Sequence, residues 1–204
     1  MTVGIIDYHS PLNVLISVKG HPFERDAFAA VFESFEGIRH TFVEQPASQS
    51  FMNADAAEPW DVLVFYDMPG IDFSTQPPGL VPPSDALKQG LMDLLASGKG
   101  MVFLHHAIAG WPLWPEYGEI IGGRFFYLPS ECRGRPVLDS GYRHDVSHEI
   151  SVADTTHPIT AASMTHFHSP MSSIFTRCLR MTSSRCSLAA TLSIEITFFQ
   201  PIMR

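Results

Sequence analysis

The sequence predicts an α/β protein in which a mainly parallel sheet is covered by helices on both faces. Short apolar runs of strand length alternate with helical patterns from residue 14 to about residue 160. The strands are apolar on both faces, as in parallel sheets that lie between two helical layers. A length of 204 residues with 45% hydrophobic content suits one compact domain and excludes a disordered chain.

The first half of the pattern is a strand, a helix and a second strand. The first strand is predicted at Val14–Val18 and ends at Lys19–Gly20. Ile38–Glu44 is predicted as the second strand, and Gly37 is suited to end the helix before it. The helix has one apolar face, with residues spaced i, i+3, i+4 and i+7: Phe28, Val31, Phe32 and Phe35.

The second half repeats this alternation. Asp61–Tyr66 is the clearest strand in the chain, and Ser84 is suited to cap the helix that follows. The next strand, Met101–Leu104, runs directly into His105–His106, and a short helix is predicted around Glu116–Ile121. The inner face of the Ser84 helix consists of leucines: Leu87, Leu91, Leu94 and Leu95.

Polar side chains follow three of the predicted strands, and ligands of open parallel sheets bind at the carboxyl ends of the strands. These residues are Lys19 and His21, Asp67, and His105 and His106. Histidine can act as a base, a metal ligand or a hydrogen-bonding group. Two plain alternatives remain: loops are polar in any protein, and a histidine can simply pack under a loop.

Aromatic residues are concentrated after the histidine pair. Trp111, Trp114 and Tyr117 lie within seven positions of the chain. Aromatic faces pack against the apolar faces of sugars, but they pack equally well in a protein core. The spacing leaves both roles open.

Acyl-enzyme chemistry is disfavoured at the turn after the strand Met101–Leu104. This turn carries His105 and His106, whereas a nucleophile elbow carries Ser or Cys there. Cys132 is the one cysteine before residue 161, and it lies well after the turn. Ten histidines are present without an HxxxH or HExxH pair on a helix, so no metal and no cofactor is assigned. A divalent metal ion stays possible in principle.

The net charge limits the classes of binding partner, and the cysteine content indicates the cellular compartment. The formal net charge of −8 argues against nucleic acid and against anionic membranes. Three cysteines without CxxC spacing favour a reducing compartment, and Met1–Leu12 lacks the basic region of a signal peptide. We therefore expect a cytoplasmic protein that binds a small molecule, with a homo-oligomer left open.

Two groups of residues resemble the ThuA-like (trehalose utilisation) domain family. The resemblance covers roughly residues 12–161 and implies a flavodoxin-like three-layer sandwich, related in fold to class I glutamine amidotransferases but without their cysteine nucleophile. The first group contains Gly98–Ala107, Trp111, Trp114, Tyr117–Gly118 and Gly122–Phe125, and the second contains His148–Val152, Asp154 and His157–Thr160.

The resemblance implies a role in sugar or disaccharide metabolism, with a histidine-based site at the carboxyl edge of the sheet. His105 and then His106 are expected to act as general acid or base, while Asp67 orients a histidine or accepts a sugar hydroxyl. Substrate-binding roles are expected for Lys19, His21, Trp111, Trp114 and Tyr117. The alternative is a non-catalytic sugar-binding or regulatory module on the same scaffold.

The segment 162–204 differs from the domain 1–161. It carries four basic residues and one acidic residue, whereas the rest of the chain carries 9 basic and 20 acidic residues. The segment lacks the acidic, aromatic continuation that the resemblance implies. We hypothesise a shift of reading frame or a retained intron near residue 161, which would leave the fold incomplete at its C-terminus. Translation of the coding DNA in the other two frames tests this.

Overall fold

The computed structural model describes residues 12–151, 156, 166–175 and 177–178, with side chains described for residues 12–142 and for Thr156. The predicted domain boundary near residue 161 lies outside the described residues, and so does the segment His157–Thr160. In chain order the described strands are β1 (Leu12–Lys19), β2 (Ile38–Glu44), β3 (Val62–Asp67), β4 (Ile71–Asp72), β5 (Gly79–Leu80), β6 (Gly100–Phe103), β7 (Gly123–Arg124), β8 (Ser130–Cys132), β9 (Arg135–Val137), β10 (Gly141–Ser151), β11 (His166–Phe175) and β12 (Arg177–Cys178).

Four helices accompany these strands in the described part of the chain. Two further 3₁₀ turns, Ala47–Phe51 and His105–Ala109, follow β2 and β6. The helices are α1 (Arg25–Glu33), α2 (Ala54–Ala57), α3 (Asp85–Ala96) and α4 (Pro115–Ile121). No described helix has the length and apolar character needed to cross a membrane.

The main sheet is parallel and has the order β2-β1-β3-β6. All four of its strands agree with the predicted ones to within two residues. The chain leaves β1 for β2 on one side and later returns to place β3 on the other side. The fold class is therefore α/β with a parallel sheet, as predicted.

Alternating residues of the strands supply two separate cores. On one face Ile16 and Val64 pack with Phe32 of α1. On the other face Leu15 and Leu63 pack with the helical layer of α2, α3 and α4. Successive side chains of a strand point to opposite faces, so one apolar run fills both cores.

The apolar face of α1 is only partly covered. Phe32 is buried, but Val31 and Phe35 are about half exposed, at 49% and 48%. The helix ends at Glu33, so Phe35 lies beyond its last turn. Gly37, predicted to end the helix, instead follows it with a φ of 75° and leads into β2.

Helix α3 packs closely against the segment before it. The Ser84 side chain caps the helix by accepting a hydrogen bond from the Leu87 amide at 3.2 Å. Leu87, Leu91 and Leu94 are buried, as predicted. A Cβ atom at Gly90 would lie 1.9 Å from the Met52 carbonyl oxygen, so only glycine fits there.

The last described strands form smaller units. β10 and β11 pair as an antiparallel ribbon, and β12 pairs with β7. β11 and β12 lie in the segment after residue 161 that differs in composition. The strand β11 was not expected from the sequence there.

Candidate histidine site

The carboxyl ends of β1 and β3 lie side by side at the point where the strand order reverses. Lys19 at the end of β1 is in register with Asp67 at the end of β3. Open parallel sheets bind ligands in the crevice at such a reversal. The residues predicted from the strand ends are therefore placed where a ligand site is expected for this fold.

Three predicted histidines meet at this edge. The rings of His21 and His106 stack with centroids 4.1 Å apart and an interplanar angle of 28°. The His105 ring lies 4.7 Å from that of His106. Tyr66, which the sequence analysis did not select, packs against His106 at 4.7 Å. We call His21, His105, His106 and Tyr66 the histidine cluster.

The backbone at the end of β6 is unusual. His105 has a φ of 32°, a left-handed value that is uncommon for a residue with a side chain. The Leu104 amide before it donates a hydrogen bond to the Phe65 carbonyl at 2.8 Å, which keeps the turn beside β3. Positive φ values of this kind concentrate at functional sites, where the surrounding structure holds them.

Burial favours the uncharged forms of His105 and His106 at neutral pH. It lowers the pKa of His105 below its usual value, and it lowers the pKa of His106 to about 3, with smaller effects from neighbouring histidines. His106 is 8% exposed, and its Nδ1 has no hydrogen-bond partner among the described residues. Neutral imidazoles can accept a hydrogen bond or a proton.

The exposed member of the cluster has a defined tautomer. His21 Nδ1 lies 2.7 Å from the Pro22 carbonyl oxygen. A carbonyl oxygen only accepts, so Nδ1 carries the proton in this hydrogen bond. In the neutral form of the His21 ring the lone pair is then at Nε2.

Lys19 lies in an ion-pair group beside the cluster. Its Nζ is 3.5 Å from Glu44, and Arg25 is 2.6 Å from the same carboxylate. The Arg25 hydrogen bond holds the pKa of Glu44 below its usual value. The Lys19 side chain is 53% exposed, so this surface pair adds little stability and leaves the ammonium accessible.

Asp67 lies on the other face of the sheet. It is 1% exposed, and its Oδ2 accepts hydrogen bonds from Ser17 and, at 2.6 Å, from Gln45 Nε2. Ser17 in turn lies 2.7 Å from the Ser48 hydroxyl. In the described part of the chain no hydrogen bond joins Asp67 to a histidine.

Ser17 was missed by the sequence analysis, although one signal was present. It is a hydroxyl residue inside the apolar run Val14–Val18. A buried hydroxyl needs a partner, which is supplied here by Asp67 and Ser48. Gln45 follows β2 directly and had no sequence signal of its own.

The predicted aromatic residues are buried in the layer of α3 and α4. Trp111, Trp114 and Tyr117 are 8%, 4% and 3% exposed. This burial is what a core position predicts, and a role as walls of a sugar pocket stays a prediction. Trp111 and Tyr117 also line a small cavity together with Asp67.

A metal centre has no support in the described part of the chain, where no three His, Cys, Asp or Glu residues group to hold an ion. Cys132 is half-buried on the β8–β9 ribbon. Within the histidine cluster the rings of His21 and His106 are stacked, and the rings of His105 and Tyr66 are tilted against that of His106.

No protein-family model and no curated protein matches this chain. Among solved structures, the chain is similar to the crystal structure of a ThuA-like protein from Parabacteroides merdae, with 15% identity and a TM-score of 0.59. The match covers 83% of this chain but spans 64% of the length of that protein. At this identity the likeness shows a shared fold: the chain has the fold of a ThuA-like protein, as the resemblance in its sequence implied.

Proposed function

We propose that this chain binds a sugar or sugar derivative at the histidine cluster and acts on it by general acid–base chemistry. The observation that carries the proposal is the meeting of His21, His105 and His106 at the reversal of strand order. The sugar as substrate class rests on the resemblance to ThuA-like domains and on the shared fold.

The protonation states suit this chemistry. At neutral pH the lowered pKa leaves His105 uncharged, so its imidazole can take a proton from a sugar hydroxyl. A pKa of about 3 makes His106 a much weaker base, so His106 acts as a hydrogen-bond acceptor. His21 is exposed and offers Nε2 as a further acceptor. Lys19 lies at the end of β1, two residues before His21, and its exposed ammonium can supply a positive charge toward a carbonyl or anionic oxygen of the ligand.

A non-catalytic sugar-binding or regulatory module is the second candidate. Closely packed rings can also form a recognition surface, and the same scaffold supports binding without turnover. Product formation separates the two: a module binds the sugar and releases it unchanged.

The test is a thermal melt of the full chain with a panel of monosaccharides, disaccharides and their oxidised or phosphorylated derivatives. A sugar at 100 times its dissociation constant should raise Tm by about 5–10 °C for a chain of this size. Mixtures that give a shift are then analysed for new products by mass spectrometry and NMR.

Two alanine variants localise the effect. His105→Ala should fold and lose the sugar-dependent shift together with any turnover. His40→Ala is the matched control, because His40 lies on β2 in register with Val14, near the amino end of the sheet. A sugar that binds the His105 variant as well as the unmodified chain would contradict the proposed site.

A further inference from the structure

A second small site lies on the opposite face of the sheet from the histidine cluster. A cavity of about 20 Å³ lies between the end of β3, the segment after β2 and the layer of α3 and α4. Its volume accommodates one water-sized group. Apolar and aromatic side chains form most of the wall, and its polar residues are Gln45, Gln49, Asp67 and Tyr117.

The hydrogen bonds of Asp67 leave one of its oxygens free. Ser17 has one hydroxyl proton and lies within bonding distance of both Ser48 and Asp67. The consistent chain is that Ser48 donates to Ser17, and Ser17 donates to Asp67 Oδ2, which also accepts from Gln45. Asp67 Oδ1 is buried and has no partner among the described residues.

The environment of Asp67 favours its neutral form. Burial raises its pKa above the usual value for an aspartate, although the hydrogen bonds from Gln45 and Ser17 oppose this. In the described part of the chain no cation pairs with it, since the Lys19 ammonium pairs with Glu44. Oδ2 accepts two donors, so the proton of the neutral acid belongs on Oδ1.

Tyr117 is close to this carboxyl group. Burial raises the pKa of the Tyr117 hydroxyl, and a negative charge on Asp67 would raise it further. The remaining polar neighbours are joined to each other, as Gln49 Nε2 donates to Gln45 Oε1 at 2.8 Å. These two glutamines are the half-exposed members of the wall, so the cavity comes nearest to solvent at this hydrogen-bonded pair.

We propose that this cavity is a binding site for a single hydroxyl group, which Asp67 Oδ1 holds beside the Tyr117 and Gln49 side chains. A buried oxygen without a partner is costly, and a hydroxyl group satisfies it as both donor and acceptor. The hydroxyl has two sources, an internal water molecule or one end of a small polyol that enters at the Gln45–Gln49 pair, whose hydrogen bond then has to open. The site is separate from the histidine cluster and does not depend on the function proposed for it.

The test is a high-resolution crystal structure of the full chain, grown without polyols, and a second crystal soaked in ethylene glycol. We expect one oxygen peak at about 2.6–3.2 Å from Asp67 Oδ1. An unchanged water peak after soaking identifies water as the source, and an ethylene glycol hydroxyl in its place identifies a polyol. The absence of a peak in both crystals would overturn the proposal.

Two variants show whether Asp67 holds the group. Asp67→Asn keeps the shape and a hydrogen-bonding oxygen or amide, so its crystals should retain the peak. Asp67→Leu fills the position with apolar atoms and should lose it. If the leucine variant does not fold, the asparagine variant still decides, because a missing peak there contradicts the role of this side chain. Sugar binding at the histidine cluster, measured by the melts above, is an independent result.

Discussion

Protonation of the buried Asp67 carboxyl group should make the stability of the protein depend on pH. The pKa of Asp67 is raised in the folded state by burial, whereas in the unfolded chain it is about 3.9. Below about pH 4 both states are protonated and the contribution of Asp67 to stability is complete. Above that pH the folded state holds more protons, so the free energy of unfolding falls as pH rises toward the folded pKa.

We therefore expect the Asp67→Asn variant not to show this fall in the free energy of unfolding as pH rises. The free energy of unfolding of the unmodified chain minus that of the variant should decrease between pH 4 and pH 7, by up to about 1.4 kcal/mol per pH unit. Urea unfolding at several pH values measures the difference. Asp72→Asn is the control: hydrogen bonds from Ser74 lower the pKa of Asp72, so its contribution is complete above about pH 4 and the corresponding difference should stay nearly constant from pH 4 to pH 7. A flat difference for Asp67→Asn would show that this carboxyl is ionised in the folded protein.

At the scale of elements, the position of helix α3 depends on a close contact between Gly90 and the backbone of Met52. Gly90→Ala places a methyl group against the Met52 carbonyl oxygen, where the Cβ distance would be 1.9 Å. Replacing glycine with alanine inside a helix stabilises the helix by about 1 kcal/mol. Overpacking against the backbone costs about 1–3 kcal/mol and should exceed this gain.

Equilibrium urea unfolding of Gly90→Ala should show a net loss of stability. Gln89→Ala, on the exposed side of the same helix, is the control and should change stability by under about 0.5 kcal/mol. An alanine at position 90 that stabilises the protein would mean that α3 can move away from Met52 without cost.

The strands and helices show what the sequence could predict and what it could not. β1 and β3 are predicted because buried parallel strands are mainly apolar runs, and α3 because Ser84 can cap it and its leucines repeat at helical spacing. The end of β3 was located, but not the face of each residue, and a shift of one residue exchanges the two faces. For this reason Asp67 was grouped with the histidines, whereas Tyr66 is the neighbour that contacts His106. Long-range pairs such as Ser17 with Ser48 depend on how the layers meet, which periodicity alone does not contain.

At the scale of the whole molecule, the two cores should unfold together. They share the same strands, since Leu15 and Leu63 face one layer while Ile16 and Val64 face the other. All three tryptophans, Trp60, Trp111 and Trp114, lie in the layer of α3 and α4. Tryptophan fluorescence therefore reports on one layer, and a substitution in the other layer tests whether the two are coupled.

Phe32→Ala in α1 is that substitution. It removes a buried ring from the core that contains no tryptophan and should cost about 3–5 kcal/mol. We expect the fluorescence and far-UV circular dichroism transitions to shift together to lower urea concentration. Val31→Ala, at the half-exposed position beside it, is the control and should shift both transitions much less. A fluorescence transition that stays in place while the circular dichroism transition moves would show that the layers unfold separately.

The end of β3 joins two chemically different neighbourhoods through a single peptide unit. Tyr66 contacts His106 on one face, and Asp67 bonds to Ser17 and Gln45 on the other. A ligand that displaces Tyr66 and thereby changes the proton affinity of Asp67 must bind with a pH dependence of the same size, because thermodynamic coupling is reciprocal. Proton uptake on one side of the sheet and ligand uptake on the other would then be two measurements of one coupling free energy.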